Sequence, residues 1–196
     1  MSWPRKPTEQ EVHAGLIEGC LRGDRLAQKR VYELFYGKMM AVCLRYTKNT
    51  DQAKDILQDG FIKLFSSMDR FNRNGSFEGW IRRIMVNTAM DHFRRNKHSY
   101  LLLSGERSID EVGDEDLPGA ADEGADMPEY KAADVINALQ KLTPAYRAVF
   151  NLYVFEELTH REIAEKLGIN EGTSKSNLAK AKVRLKKLLE QGAFAR

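Results

Sequence analysis

The chain has 196 residues, 42% of them hydrophobic and 30% charged, with a formal net charge of +3. That leaves room for one large domain or two small ones of soluble, helix-biased character. No apolar run approaches the roughly 18 residues that span a bilayer, and the amino terminus lacks a signal peptide's apolar core, so a cytoplasmic protein without membrane insertion is expected. Cys20 and Cys43, the only cysteines, sit in apolar helical contexts and are expected as buried thiols rather than a disulfide.

Thr8 to Glu11 has capping-box spacing and should open a short helix. After Gly23-Asp24, Leu26, Val31, Leu34, Phe35, Met39, Val42 and Cys43 predict a longer amphipathic helix. The clearest period is Ala53, Ile56, Leu57, Phe61, Leu64 and Phe65, bounded by Asn49-Thr50-Asp51 and Ser66-Ser67. Asp51, Asp55, Gln58, Asp59 and Lys63 fall largely off that stripe, where they face solvent or a partner. Phe71 to Ser76 reads as a polar loop, with Ser76 a cap for a helix running to about Arg95. This helix is expected to bury Phe77, Trp80, Ile81, Ile84, Met85 and Phe93, and to expose Arg82, Arg83, Asn87, Asp91, Arg94 and Arg95.

Between Leu101 and Glu129 there are ten acids and one arginine, a net of −9 that leaves +12 on the rest of the chain. Gly105, Gly113, Pro118, Gly119, Gly124 and Pro128 punctuate the same stretch, which is too poor in large apolar residues to offset its own ordering. A flexible acidic linker within about residues 98–128 therefore divides a lobe of about 8–97 from one of about 129–192. Two basic lobes on an acidic strap is a charge pattern of nucleic-acid binders.

In the second lobe Val135, Ile136, Leu139 and Leu142 predict one helix, and Thr143-Pro144 opens another with Val149, Phe150 and Tyr153. Thr159-His160-Arg161-Glu162 is a second capping box, followed by Ile163, Ala164 and Leu167 at helical spacing. Gly168 marks a left-handed helix end, and Ile169 to Gly172 makes a turn. A last helix from about Thr173 places Leu178, Ala181, Leu185 and Leu188 on one face and Lys175, Lys180, Lys182, Arg184, Lys186 and Lys187 on the others. No strand-type alternation of any length occurs, so the fold class is all-α, two helical domains with a helix-turn-helix in the second.

An exposed basic helix behind a short first helix is how proteins insert side chains into the major groove, although a solvated helical hairpin has the same pattern. In the first lobe a basic helix adjoins a loop flanked by Phe71 and Phe77, which suits single-stranded DNA, since bases stack on rings while cations track phosphates. For Trp80 core packing competes with that use, and for Arg73 to Ser76 a plain surface turn does.

From about Gly23 to Leu189 these residues resemble a bacterial RNA polymerase sigma factor of the extracytoplasmic-function branch of the sigma-70 family. Asp51-x-Ala53-x-Asp55-x-Leu57-Gln58-Asp59-x-Phe61-x-Lys63-x-Phe65 resembles that family's polymerase-binding helix. Phe77-x-x-Trp80-Ile81-x-x-Ile84-x-x-Asn87-x-Ala89-x-Asp91-x-x-Arg94-Arg95 resembles its promoter-melting helix. The run from Leu158 and Thr159 through Gly172-Thr173-x-Lys175-Ser176 resembles its upstream-element reader. The resemblance implies that Asp51, Asp55, Gln58 and Asp59 face the clamp of core RNA polymerase. It implies that Arg73, Asn74, Gly75 and Ser76 receive a flipped base of the −10 element, with Asn87 and Asp91 bordering the pocket and Arg82, Arg83, Arg94 and Arg95 on phosphates. It places Thr173, Lys175, Ser176, Asn177, Lys180 and Lys182 at the −35 element. Two positions depart from the pattern: Ser174 stands where a small apolar residue such as Val is usual, and Asn177 where Arg is common. Asn prefers adenine where Arg prefers guanine, so the bases read at −35 should differ from those of relatives.

The implied partners are core polymerase, promoter DNA as duplex and as melted strand, and an anti-sigma factor that no residue here identifies. About 25 linker residues extend to roughly 85 Å but average nearer 30 Å as a coil. Elements some two DNA turns apart are separated by about 70 Å, so the strap permits that spacing and something larger must fix it. A duplex-binding regulator acting alone would need a dimerisation element that nothing here resembles, and a gel shift without polymerase discriminates it. Enzymatic chemistry finds no support: His13, His92, His98 and His160 are scattered, and no metal-ligand spacing, cofactor loop or nucleophile motif is present.

Overall fold

The structure, a computed structural model, describes residues 9–72, 75–104 and 130–193. Arg73, Asn74, Thr8 and the acidic strap from 105 to 129 lie outside them. The described residues form α1 (Glu9–Leu21), α2 (Arg25–Tyr46), α3 (Thr50–Ser66), a short 3-10 turn (Met68–Arg70), α4 (Phe77–Ser104), α5 (Ala132–Gln140), α6 (Pro144–Val154), α7 (His160–Leu167) and α8 (Glu171–Ala193). No strand occurs among them, as the sequence pattern requires. The chain divides into two compact units, Met1–Cys43 with Lys54–Thr88, and Leu44–Ala53 with Ala89–Arg196.

In the first unit the stripe Val31, Phe35 and Met39 of α2 packs into a core with Leu57, Phe61 and Leu64 of α3 and Phe77, Ile81 and Met85 of α4, all at most 5% exposed. Burial of each such side chain contributes about 1.5–3 kcal/mol before chain entropy is charged against it. Leu26 and Leu34, expected on this stripe, are 73% and 48% exposed. At 100° per residue the buried positions 27, 31, 35, 39 and 42 drift along one face, Leu34 falls at its edge and Leu26 beyond it. The close approach of α3 to α4 is made at Gly60, where a Cβ would collide with the thioether of fully buried Met85.

In the second unit α8 lies across α5, α6 and α7, with Leu178, Ala181, Leu185 and Leu189 covered together with Leu139, Val149, Leu152, Ile163 and Leu167. Arg147 is 4% exposed and donates Nη2 to Leu142 O at 2.8 Å, tying the end of α5 to α6; burial pushes its guanidinium down to about 10. It therefore stays charged at neutral pH. The last residues of α2 belong to this unit, where Asn151 Nδ2 donates to Arg45 O at 2.8 Å and the Arg45 guanidinium sits 4.0 Å above the Phe155 ring.

The cysteines match expectation, both free and buried. Along α4 burial departs from the sequence pattern. Phe77, Ile81 and Met85 are buried, but Trp80, Ile84 and Phe93 are half-buried, while Val86, Ala89 and Met90 are buried instead.

Candidate nucleic-acid interface

On α3 the buried set Ala53, Ile56, Leu57, Phe61 and Leu64 leaves Asp51, Asp55 and Gln58 exposed and Asp59 half-buried on the opposite side. Positions 55, 59 and 62 follow at i, i+4 and i+7, so this acidic stripe continues into Ile62, which is 59% exposed. Tyr32 and Tyr36 of α2 are also exposed; the Tyr32 ring lies 4.7 Å from that of Phe61 and 5.4 Å from that of Tyr36. Sequence periodicity located the acids and not the apolar residues beside them, because an exposed Tyr or Ile looks like core until its helix is oriented.

The start of α4 is set by Ser76, whose Oγ accepts from Gly79 N at 3.1 Å. Gly75 precedes it with φ of 104°, a conformation that L side chains rarely adopt. Phe77 turns inward against Phe35 and Phe71, with ring centroids at 5.7 and 5.2 Å. Trp80 lies 5.1 Å from Phe71 and remains half-buried, so an aromatic edge stands beside the loop. Arg83, Asn87, Arg94 and Arg95 are exposed, and Arg82 and Asp91 half-buried. The spacing of 83, 87, 91 and 94 puts these residues on one line of the helix. Asp91 Oδ1 accepts from Arg94 Nη2 at 2.6 Å, so the carboxylate braces a cation on that line.

The helix-turn-helix forms as its residues dictate. Thr159 Oγ1 accepts from Glu162 N at 3.3 Å while Glu162 Oε2 accepts from Thr159 N at 2.8 Å, completing the capping box. The Thr159 hydroxyl and then its backbone amide hold the Glu162 carboxyl below its usual range. Gly168 ends α7 at φ 64° and ψ 46°. Asn170 Oδ1 then accepts from Thr173 N at 2.6 Å, so α8 starts at Glu171, two residues earlier than the charge pattern suggested. An Asn cap was legible at Asn170, but the turn signal at Gly172 masked it.

On α8, Lys175, Ser176 and Lys182 are exposed and Thr173 and Lys180 half-buried. Asn177 is not on that face. It is 6% exposed, three residues from fully buried Ser174 and four from fully buried Ala181, so its amide belongs to the covered side and cannot act as the expected base reader. Ser174 explains its own departure from the usual apolar residue: its Oγ lies 2.9 Å from His160 Nδ1, and the His160 ring stacks on Tyr153 at 4.9 Å. A hydroxyl at this buried position is satisfied by the first residue of α7, and the bond fastens one helix of the motif to the other.

Glu171, which the sequence pattern did not single out, is the first residue of α8. Its Oε1 lies 2.8 Å from Lys175 Nζ, with both side chains at least half exposed. Hydrogen bonding and charge from Lys175, then the charges of His160 and Arg161, hold the Glu171 carboxyl below its usual range. Among the described residues no His, Cys, Asp and Glu cluster could hold a metal ion, and no helix is long and apolar enough to cross a membrane.

Two family descriptions match the chain: sigma-70 region 2 over residues 31–99 and sigma-70 region 4 over residues 132–185. The chain is 29% identical to the ECF RNA polymerase sigma factor SigW of Bacillus subtilis over 176 residues, 88% of this chain and 94% of that one. It is 32% identical to the RNA polymerase sigma factor SigV of the same organism, over 69% of this chain and 75% of SigV. The solved sigma factor RpoE of Bartonella quintana, in complex with the anti-sigma factor NepR, is 22% identical with a TM-score of 0.47, covering 83% of this chain and 96% of that one.

Proposed function

Because the chain belongs to the extracytoplasmic-function branch of the sigma-70 family, we propose that its two lobes divide promoter recognition between an opened and a closed stretch of DNA. The protein binds core RNA polymerase and directs promoter-specific initiation; the catalysis is the polymerase's, and the chain itself is not an enzyme. In this reading it acts in the cytoplasm, and an anti-sigma partner withholds it until needed.

In this reading residues 8–97 carry the clamp and −10 functions and 129–192 the −35 function, although α4 runs on to Ser104, seven residues into the 98–128 expected as linker. Asp51, Asp55, Gln58 and Asp59 dock on the polymerase clamp, and the adjoining Ile62, Tyr32 and Tyr36 supply apolar area that a purely electrostatic contact would lack. The loop of Arg73, Asn74, Gly75 and Ser76 receives a base flipped from the −10 element, bordered by Asn87 and Asp91. Extruding that base costs a few kcal/mol of stacking, so a pocket that binds it traps the melted state. Arg82, Arg83, Arg94 and Arg95 hold phosphates; Asp91, by bracing Arg94, fixes the direction of one of them. Thr173, Lys175, Ser176, Lys180 and Lys182 read the −35 duplex.

The observation that carries this reading is the capped α7, left-handed Gly168 and Asn-capped α8, with α8's apolar side covered and Lys175 and Ser176 outward. Charge reversal at Asp55 and Asp59 to Lys should weaken core binding by about tenfold or more, read alongside circular dichroism to show that the helical fold is kept. Unchanged affinity for core would reject the clamp assignment.

A further inference from the structure

The outward side of the first turns of α8 carries Glu171, Gly172, Lys175, Ser176 and Ala179, all exposed. Gly172, Ser176 and Ala179 are small, so the helix backbone can come close to a groove floor. Two long polar side chains rise from that side, Glu171 and Lys175, joined by the 2.8 Å ion pair. A helix-turn-helix contacts base edges mainly through the amino-terminal residues of its second helix, which is where both stand.

A carboxylate in that place opposes the phosphates unless a base donor meets it. Lys175 engages Oε1, and a carboxylate has a second oxygen that accepts independently. In the major groove, cytosine presents an exocyclic amino donor at N4, the partner that Glu and Asp select. We propose that Glu171 reads a cytosine of the −35 element by accepting from that amino group, with Lys175 fixing its rotamer and offsetting its charge toward the backbone. Lys175 is thereby free to donate from its remaining protons to an adjacent guanine or phosphate. Glu171 thus takes the discriminating role that buried Asn177 cannot.

This inference rests on α8 entering the major groove, and the experiment separates the two claims. Reconstituted holoenzyme is assayed on a promoter library with the −35 element randomised and the −10 element fixed. Wild type should prefer cytosine at one position by about 5- to 100-fold. Glu171→Ala should flatten that position to within about threefold and leave the other positions as they were; Glu171→Gln should shift it toward adenine, the base Gln pairs with. If Glu171→Ala keeps every preference and raises occupancy uniformly, the carboxylate only repels DNA and the inference is overturned. Lys175→Ala and Lys180→Ala are run in parallel. If both leave dependence on the −35 element intact, α8 is not the reader and the parent assignment fails together with this one.

Discussion

The joint between α3 and α4 gives the most exacting test of the first unit. Gly60→Ala places a methyl against the thioether of Met85, which has no exposed surface into which to retreat. Overpacking of this kind costs about 1–3 kcal/mol. Against it, Ala in a helix interior is favoured over Gly by roughly 0.5–1 kcal/mol. The net expectation is destabilisation of up to about 2.5 kcal/mol. Met85→Ala alone should cost about 2–5 kcal/mol, because it empties a fully buried site. In that background the sign should invert: Gly60→Ala then gains helix propensity and part-fills the cavity, stabilising by about 1 kcal/mol. Urea unfolding monitored by Trp80 fluorescence in a Trp3→Phe background measures all four corners. Gly60→Ala remaining destabilising without Met85, or having the same effect with and without it, would refute the packing argument.

The other expectations concern the helix-turn-helix. Thr159→Ala should lower stability by about 1 kcal/mol near neutral pH, measured by denaturant midpoint. Glu162 has its folded carboxyl pKa depressed by Thr159, so the capping contribution is present above the unfolded value of about 4.3 and lost as pH falls through the lower folded one. The difference between Thr159→Ala and wild type should therefore narrow on acidification; a gap that stayed constant to pH 3 would contradict the reciprocal box. His160→Ala, Ser174→Ala and the double variant should show a coupling energy of about 0.5–1.5 kcal/mol, since a single hydrogen bond joins the two. Strict additivity would mean that Ser174 is tolerated for its size alone.

Much of this architecture was open to sequence reading, for identifiable reasons. Caps and breakers act locally, so Thr159, Glu162, Gly168 and Ser76 could be placed before any tertiary contact was known. The α3 stripe was legible because its interior positions, Ala53 to Leu64, keep helical spacing over about three turns. Reading weakened where a helix is covered on more than one side or packs at an edge. Trp80 and Leu34 drifted outward, Ala89 and Met90 inward, because neighbours rather than propensity decide which part of a long helix is covered. The same cause moved Asn177 off the reading surface: a polar residue beside lysines looks exposed until α8 is set against α5, α6 and α7. Glu171 looks like part of the turn when the helix is taken to begin at about Thr173. Its meaning depends on Lys175 one turn later, and on the true start of the helix at Glu171, capped by Asn170.

The chain should give core polymerase a promoter that core cannot find alone. Core enzyme, the purified chain and both together are placed on a supercoiled promoter library, and transcripts and permanganate-reactive thymines are mapped. The combination should start RNA at defined sites, with melting confined to the −10 region, while neither component alone does so. Duplex binding by the chain without polymerase, together with no stimulation of core, would contradict the account.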